Sequence, residues 1–215
     1  MELRWYRDYS SLDFFKDVFF QRKESEKMKS YRKMPVVTFG QYQLRTIQKK
    51  DYRDMYAYGQ DAETVRYLSW GPMHSPEEAK KAIRYIFYPR LKRALPVGYA
   101  IVDTKNKRMI GTIDFHTQLA KGNGAELGFV LHRDYWNQGI MTQAVIAMIE
   151  LGFTYLNYDK IVVKHLAENK ASEAIIKKTG FHFTGKEPFS MPRKKISEPV
   201  LYVYELTKEE YLNEL

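Results

Sequence analysis

The residues with the clearest chemical potential lie in one turn, over residues 131–143, with the sequence LHRDYWNQGIMTQ. The segment passes from an apolar strand pattern, through a short loop that contains Asn137 and Gly139, directly into a helical pattern. Such a turn aims free backbone N–H groups and the positive end of a helix dipole at one point, which suits a phosphate or pyrophosphate. Asn and Gly also tolerate the positive φ angles that an anion cradle requires. An ordinary helix entry would use similar residues, so the turn alone leaves both interpretations open.

A second chemical feature is Glu126, at the start of the strand that leads into this turn. Strand alternation places Glu126, Gly128 and Val130 on one face of that strand. A carboxylate in this position is a candidate general base, although a solvated carboxylate at a strand end would look the same. The neighbouring predicted strand carries Asp114 and His116 on one face, and they would border Glu126 if the two strands share that face.

Composition excludes several other kinds of chemistry. The chain of 215 residues contains no cysteine, which removes disulfides, thiol nucleophiles and zinc sites built on thiolates. The five histidines show neither HxH nor HxxxH spacing, so we expect no metal site. Lys and Arg number 35 against 26 Asp and Glu, and the net charge of +9 indicates a solvated basic surface or one that attracts a polyanionic small molecule or an acidic partner. This charge is spread along the chain, so nucleic-acid binding is not expected.

The chemical residues must be positioned by an α/β domain, because the predicted strands first form a meander and then alternate with helices. The predicted strands cover residues 42–47, 99–103, 109–119, 125–131, 161–165, 181–184 and 200–206. The predicted helices cover residues 50–58, 62–68, 76–88, 139–156 and 170–179, and Thr207 with Glu210 caps a last short helix. The longest uniformly apolar stretch, residues 144–149, is far shorter than the roughly 20 residues of a membrane helix. We therefore expect a soluble, cytoplasmic protein with no membrane partner.

One domain with an N-terminal extension is predicted. Residues 1–35 form an N-terminal helical extension, and residues 36–215 form the main domain. The extension contains a predicted helix over residues 11–29, whose aromatic stripe would pack on the main domain or on a second subunit of a homodimer. The stripe consists of Phe14, Phe15, Phe19 and Phe20.

The segments AELGFVLHRDYWNQGIMTQAV and AENKASEAIIKKTGF resemble the GNAT N-acetyltransferases, and within them the RimJ/RimL-like group, over roughly residues 38–206. The resemblance implies a GNAT fold of the α/β (α+β) class for residues 36–215. This fold has a central mixed, mostly antiparallel sheet of about seven strands, flanked by helices and splayed between the fourth and fifth strands. It also implies acetyl-CoA as co-substrate and no metal.

The resemblance assigns the turn described above to the pyrophosphate of acetyl-CoA, which this family binds through backbone N–H groups in the pattern Q/R-x-x-G-x-G/A. Trp136 takes the first position, Asn137 stands where glycine is usual, and Met141 replaces the small residue, so we expect Met141 to crowd the cradle. The implied cofactor-binding residues are Phe129, Val130, Leu131, Trp136, Asn137, Gln138, Gly139, Ile140, Met141, Thr142, Asn169 and Ser172.

The resemblance also assigns catalytic roles. Glu126 becomes the base that deprotonates the acceptor amine, and a backbone N–H around Val130 stabilises the thioester oxygen. The tyrosine that protonates the thiolate in many members is absent, since Ile176 occupies its position, and Ser172 is implied to lie beside the sulfur instead. Asn169 and Ser172 could equally cap a helix.

The acceptor is not determined by these motifs. Asp114, His116 and Trp70 are the candidate substrate-binding residues, and residues 66–73 and 189–198 are the candidate acceptor loops, although their side chains suit ordinary loop packing equally well. We therefore expect direct transfer of an acetyl group from acetyl-CoA to a primary amine, either a protein N-terminus or a small amine. The alternative is an acyl-CoA-binding or regulatory module of the same fold with little catalysis.

Overall fold

A single mixed sheet of eight strands organises the protein in the computed structural model, which describes residues 34–93, 95–190 and 199–213. The strand order is β1-β2-β3-β4-β5-β6-β8-β7; β5 and β6 are parallel, and all other neighbours are antiparallel. The strands are β1 (Val37–Phe39), β2 (Tyr42–Thr46), β3 (Tyr99–Asp103), β4 (Arg108–Gln118), β5 (Gly124–Leu131), β6 (Lys160–Leu166), β7 (His182–Pro188) and β8 (Val200–Thr207). The predicted α/β class with a mixed, mostly antiparallel sheet is confirmed, with one strand more than the seven expected.

Five α-helices accompany the sheet in the described part of the chain: α1 (Tyr52–Gly59), α2 (Pro76–Ala82), α3 (Ile140–Glu150), α4 (Lys170–Lys178) and α5 (Lys208–Asn213). Two π-helical segments, Ile83–Phe87 and Leu151–Tyr155, extend α2 and α3, and short 3-10 segments occur at Lys49–Asp51, Tyr88–Arg93 and Arg133–Tyr135. The cap predicted for the last helix is present, because Glu210 accepts from the Thr207 N–H at 2.8 Å and donates its own N–H to the Thr207 hydroxyl at 3.2 Å.

One predicted helix, over residues 62–68, is wrong. The segment forms consecutive turns, in which a carboxylate oxygen of Asp61 accepts from both the N–H and the hydroxyl of Thr64, at 3.0 and 2.6 Å. A side chain that takes up backbone donors in this way competes with helix formation. The predicted helix over residues 11–29 and its aromatic stripe lie outside the described residues.

The sheet divides the core into two apolar layers. One layer holds Leu127, Ile161 and most of α3, and the other contains Tyr58 and Ile83 from the α1 and α2 side. Leu127 belongs to the first layer and Phe129 packs against it, whereas Val130 packs against the second. The predicted alternation of β5 is therefore present, and Glu126 lies on the α1 and α2 face. In the described ranges, no helix is long and apolar enough to cross a membrane.

Candidate functional site

The β5 and β6 strands separate part of the way along their length. Their parallel ladder runs from the Gly124–Lys160 pair to the Leu127–Val163 pair and goes no further, although β5 continues to Leu131. This is the predicted splay, which falls between β5 and β6 because the short β1 precedes the strands counted from the sequence. It leaves an opened edge on β5, formed by the backbone of residues 128–131.

The backbone groups at the opened edge can be identified from the hydrogen bonds of the other edge. The His132 N–H donates to the Ile110 carbonyl at 2.7 Å. The Thr112–Val130 pair lies two residues away in the same β4–β5 ladder, so it is a hydrogen-bonded pair as well. Because backbone groups alternate between the two edges of an antiparallel strand, Val130 faces β4. The N–H and carbonyl of Phe129 face the opened edge instead. Leu131 alternates in the same way, so the N–H groups of Phe129 and Leu131 are both donors at this edge, and Phe129 is the one nearer to Glu126 along the strand.

The turn after β5 has the backbone of an anion cradle. Asn137 and Gly139 have φ angles of 59° and 73°, as the sequence predicted, and both are exposed. A Cβ on Gly139 would meet no atom within 4 Å, so glycine is required there for its conformation. Gly139 is the N-cap of α3, and the first N–H groups of a helix have no partner within it. These donors suit a pyrophosphate.

Met141 does not crowd the cradle, and that expectation is wrong. Its side chain is only 4% exposed and belongs to the core layer that α3 covers. The first turn of α3 directs its buried side chains, Ile140 and Met141, into the core while Gln138 and Gly139 stay exposed. Met141 can therefore contact an anion only through its backbone N–H.

The cradle is held by contacts that the sequence did not reveal. The indole Nε1 of Trp136 donates to the Leu131 carbonyl at 2.7 Å, and the Tyr135 hydroxyl lies 3.4 Å from a carboxylate oxygen of the buried Asp103. The pKa of Tyr135 is raised by burial and by the neighbouring Asp103 carboxylate. A Tyr or Trp near a strand end has many uses, so no pattern in the sequence points to these partners.

Glu126 lies two residues before the opened edge, and its side chain lies between two basic side chains. Its Oε1 lies 3.6 Å from Nε2 of His116, and its Oε2 lies 3.6 Å from Nζ of Lys164. Gly128 makes room for the imidazole, because a Cβ there would approach Cδ2 of His116 to 2.8 Å. Lys164 also pairs with Glu187 of β7, at 2.8 Å. His116 thus borders Glu126 as proposed from the sequence. The contacts of Lys164 with Glu126 and Glu187 were not expected from the sequence.

Asp114 is engaged in a buried ion pair. Its Oδ1 lies 2.8 Å from Nη1 of Arg90, and both residues are under 10% exposed. The Arg90 guanidinium also stacks over Phe87 at 4.4 Å from the ring centre. The pair fastens the segment after α2 to β4, opposite Gly128 in the ladder. The ion pair thus engages the Asp114 carboxylate in the packing of this face of the sheet.

The other candidate residues are placed as follows. Trp70 and Met73 pack against the core layer on the Glu126 face, which fits the loop-packing interpretation. Most of the second acceptor loop, residues 191–198, lies outside the described residues. The Asn169 side chain accepts from the Ser172 N–H at 3.1 Å, so Asn169 caps α4. Ile176, at the position of the family's tyrosine, is fully buried.

Comparison with known proteins agrees with this geometry. Residues 42–182 match the family model described as Acetyltransferase (GNAT) domain. An uncharacterised N-acetyltransferase of Bacillus subtilis, YoaA, is 28% identical over 152 residues, which are 70% of this chain and 85% of that protein.

Solved structures share the fold at low identity. RimL, a ribosomal-protein alpha-N-acetyltransferase in complex with coenzyme A, superposes with a TM-score of 0.68 at 20% identity, over 82% of this chain and 98% of that one. The spermidine N-acetyltransferase of Vibrio cholerae, in complex with CoA and spermine, gives a TM-score of 0.69 at 18% identity, over 80% and 99% of the two chains. Since the family model covers well over half of its length, the chain belongs to the GNAT family of acetyl-CoA-dependent acetyltransferases.

Proposed function

We propose that the protein transfers the acetyl group of acetyl-CoA directly to a primary amine, with Glu126 as the general base. The observation that carries this proposal is the arrangement along β5. Glu126 lies two residues before the opened edge of β5, and the cradle of Asn137 and Gly139 follows the end of that edge. Base, opened edge and anion site are thus ordered along one strand and the turn that follows it.

The described residues fit acetyl-CoA. The N–H groups of residues 138–142 would hold the pyrophosphate, and the opened edge at Phe129 would pair with the amide groups of the pantetheine arm. Asn169, which caps α4 through its side-chain oxygen, retains its amide N–H donors for the same arm. The alternative of a module with little catalysis loses one of its two arguments, because Met141 is buried in the core.

The chemistry assigned to the chain consists of two proton transfers and one stabilised oxygen. Acetyl-CoA supplies the thioester carbon, at which the C–N bond forms and the C–S bond breaks. Glu126 accepts a proton from the amine, which is mostly protonated at pH 7 because amine pKa values lie near 8 to 10. The Phe129 N–H stabilises the carbonyl oxygen while the C–N bond forms. As the C–S bond then breaks, the nitrogen releases its second proton, and the Ser172 hydroxyl relays a proton to the sulfur by taking up the released one as it gives up its own.

Steady-state kinetics on variants test this assignment. Glu126→Gln keeps the size of the side chain but removes the base, so we expect kcat to fall about 100-fold or more. Glu205→Gln is the matched control, because Glu205 is a similarly half-buried strand carboxylate that pairs with Lys160 at 2.9 Å, outside the site. Ser172→Ala tests the acid. Unchanged turnover in both Glu126→Gln and Ser172→Ala would contradict the assigned roles.

A further inference from the structure

The ammonium group of Lys164 lies beside Glu126, the carboxylate proposed as the base. Lys164 directly follows Val163, the last residue of β6 that pairs with β5. Its Nζ lies 3.6 Å from Oε2 of Glu126 and 2.8 Å from Oε2 of Glu187. Among the described residues, Glu126 and Glu187 are the two carboxylates that contact the Lys164 ammonium, which lies between them.

The charges around Glu126 come from three strands. His116 of β4 and Lys164 of β6 contact it directly, and Glu187 of β7 reaches it through Lys164. Asp114 is neutralised by Arg90. Apart from His116, the two carboxylates and the one ammonium sum to a single net negative charge. Glu126 and Lys164 are only 20% and 23% exposed, so solvent screens their interaction incompletely.

Lys164 is itself a poor acetyl acceptor. Burial lowers its pKa, but the ion pairs with Glu187 and Glu126 outweigh burial and hold the pKa above its ordinary value. The side chain therefore remains a protonated ammonium, which is not nucleophilic. It contributes a fixed positive charge to the site.

We propose that Lys164 determines acceptor specificity by neutralising one of the two carboxylates, so that the site accepts amines with a single positive charge and disfavours polyamines. This proposal rests on the proposed function. A monoamine becomes neutral when it gives its proton to Glu126, so no charge is left for the site to balance. A polyamine retains further ammonium groups after that step. The Lys164 ammonium repels them, because Glu187, the carboxylate that could balance their charge, is already paired with Lys164. Protein N-termini and small monoamines fit the site by this criterion.

The test compares acceptor preference between variants of Lys164. Lys164→Met keeps the length of the side chain and removes its charge, whereas Lys164→Arg keeps the charge. The measured quantity is the ratio of kcat/KM for spermidine to kcat/KM for butylamine, since a change in base strength acts on both acceptors alike. We expect the ratio to rise about tenfold in Lys164→Met and to stay near the wild-type value in Lys164→Arg.

A binding measurement makes the test independent of turnover. Calorimetric titration of spermidine into the full chain saturated with coenzyme A should give about tenfold tighter binding for Lys164→Met than for the wild type. Lys164→Gln serves as a second neutral variant should Lys164→Met fail to fold. An unchanged ratio together with unchanged spermidine affinity would overturn the proposal. The proposed function fails separately, if neither Glu126→Gln nor Ser172→Ala lowers the turnover of butylamine.

Discussion

The indole Nε1–H of Trp136 donates to the carbonyl oxygen of Leu131 at 2.7 Å, and this bond joins the first residue of the cradle to the last residue of β5. The bond occupies the Leu131 carbonyl, which faces the same edge of β5 as the backbone of Phe129. Trp136 therefore fixes the cradle relative to the opened edge, while its ring remains 38% exposed.

Replacement of this tryptophan should separate cofactor binding from chemistry. Trp136→Phe removes one hydrogen bond, worth about 1 kcal/mol, and frees the cradle to shift relative to the edge. We expect KM for acetyl-CoA to rise severalfold while kcat changes little, because Glu126 is untouched. An unchanged KM with a reduced kcat in steady-state kinetics would contradict the positioning role.

The left-handed conformation of Gly139 gives a second prediction. Gly139→Ala forces an L side chain into a φ of 73°, which costs about 1–2 kcal/mol although the Cβ itself meets no atom. The cradle can relieve this strain by rotating its N–H groups away, so acetyl-CoA should bind more weakly and raise the melting temperature less than in the wild type.

Gly185→Ala is the control for this experiment. A Cβ on Gly185 also meets no atom within 4 Å, but Gly185 is not among the glycines with positive φ. Its melting temperature and its response to acetyl-CoA should match the wild type. If the two alanine variants respond alike, the conformation of Gly139 does not matter for the cofactor.

The strands and helices were predictable because their periodicity is strong and local. The apolar alternation of β5 and the capping pair of Thr207 and Glu210 each involve residues that are close in the chain. The short β1 was missed because three residues carry too little periodicity, and it is a strand only through its pairing with β2. The helix predicted over residues 62–68 was wrong because the Asp61 side chain accepts a hydrogen bond from the Thr64 N–H, which competes with helix formation.

The site was predictable only in part, for a related reason. Glu126 and the glycine turn stand in recognisable local patterns, but their partners come from distant parts of the chain. Lys164 reaches Glu126 from β6, and the Arg90 that neutralises Asp114 belongs to the 3-10 segment that follows α2 and its π-helical extension. Spacing cannot reveal which charges meet across strands. The direction of the Met141 side chain likewise depends on how α3 packs.

The buried ion pair of Asp114 and Arg90 gives a third prediction. Asp114→Leu leaves a buried guanidinium without its partner, so we expect the free energy of unfolding to fall by about 3–5 kcal/mol. The double variant Asp114→Leu with Arg90→Met removes both charges and should recover most of that loss. Urea denaturation measures both values. A loss below about 1 kcal/mol in the single variant would show that water or another group replaces the partner.

The last prediction concerns His165, whose ring stacks on Tyr204 at 5.4 Å. Its Nδ1–H donates to the Leu166 carbonyl at 2.8 Å, its Nε2 is buried without a partner among the described residues, and burial lowers its pKa. The unfolded chain, with a histidine pKa near 6.5, therefore binds a proton at a higher pH than the folded protein does. The stability that the neutral His165 contributes is fully present above about pH 6.5, and it is lost as the pH falls toward the lower pKa of His165 in the folded protein.

The melting temperature should therefore fall less between pH 7.5 and 5 in His165→Phe than in the wild type. His74→Gln, at an exposed site, should follow the wild type. Equal slopes in all three proteins would mean that His165 is accessible to protons in the folded state.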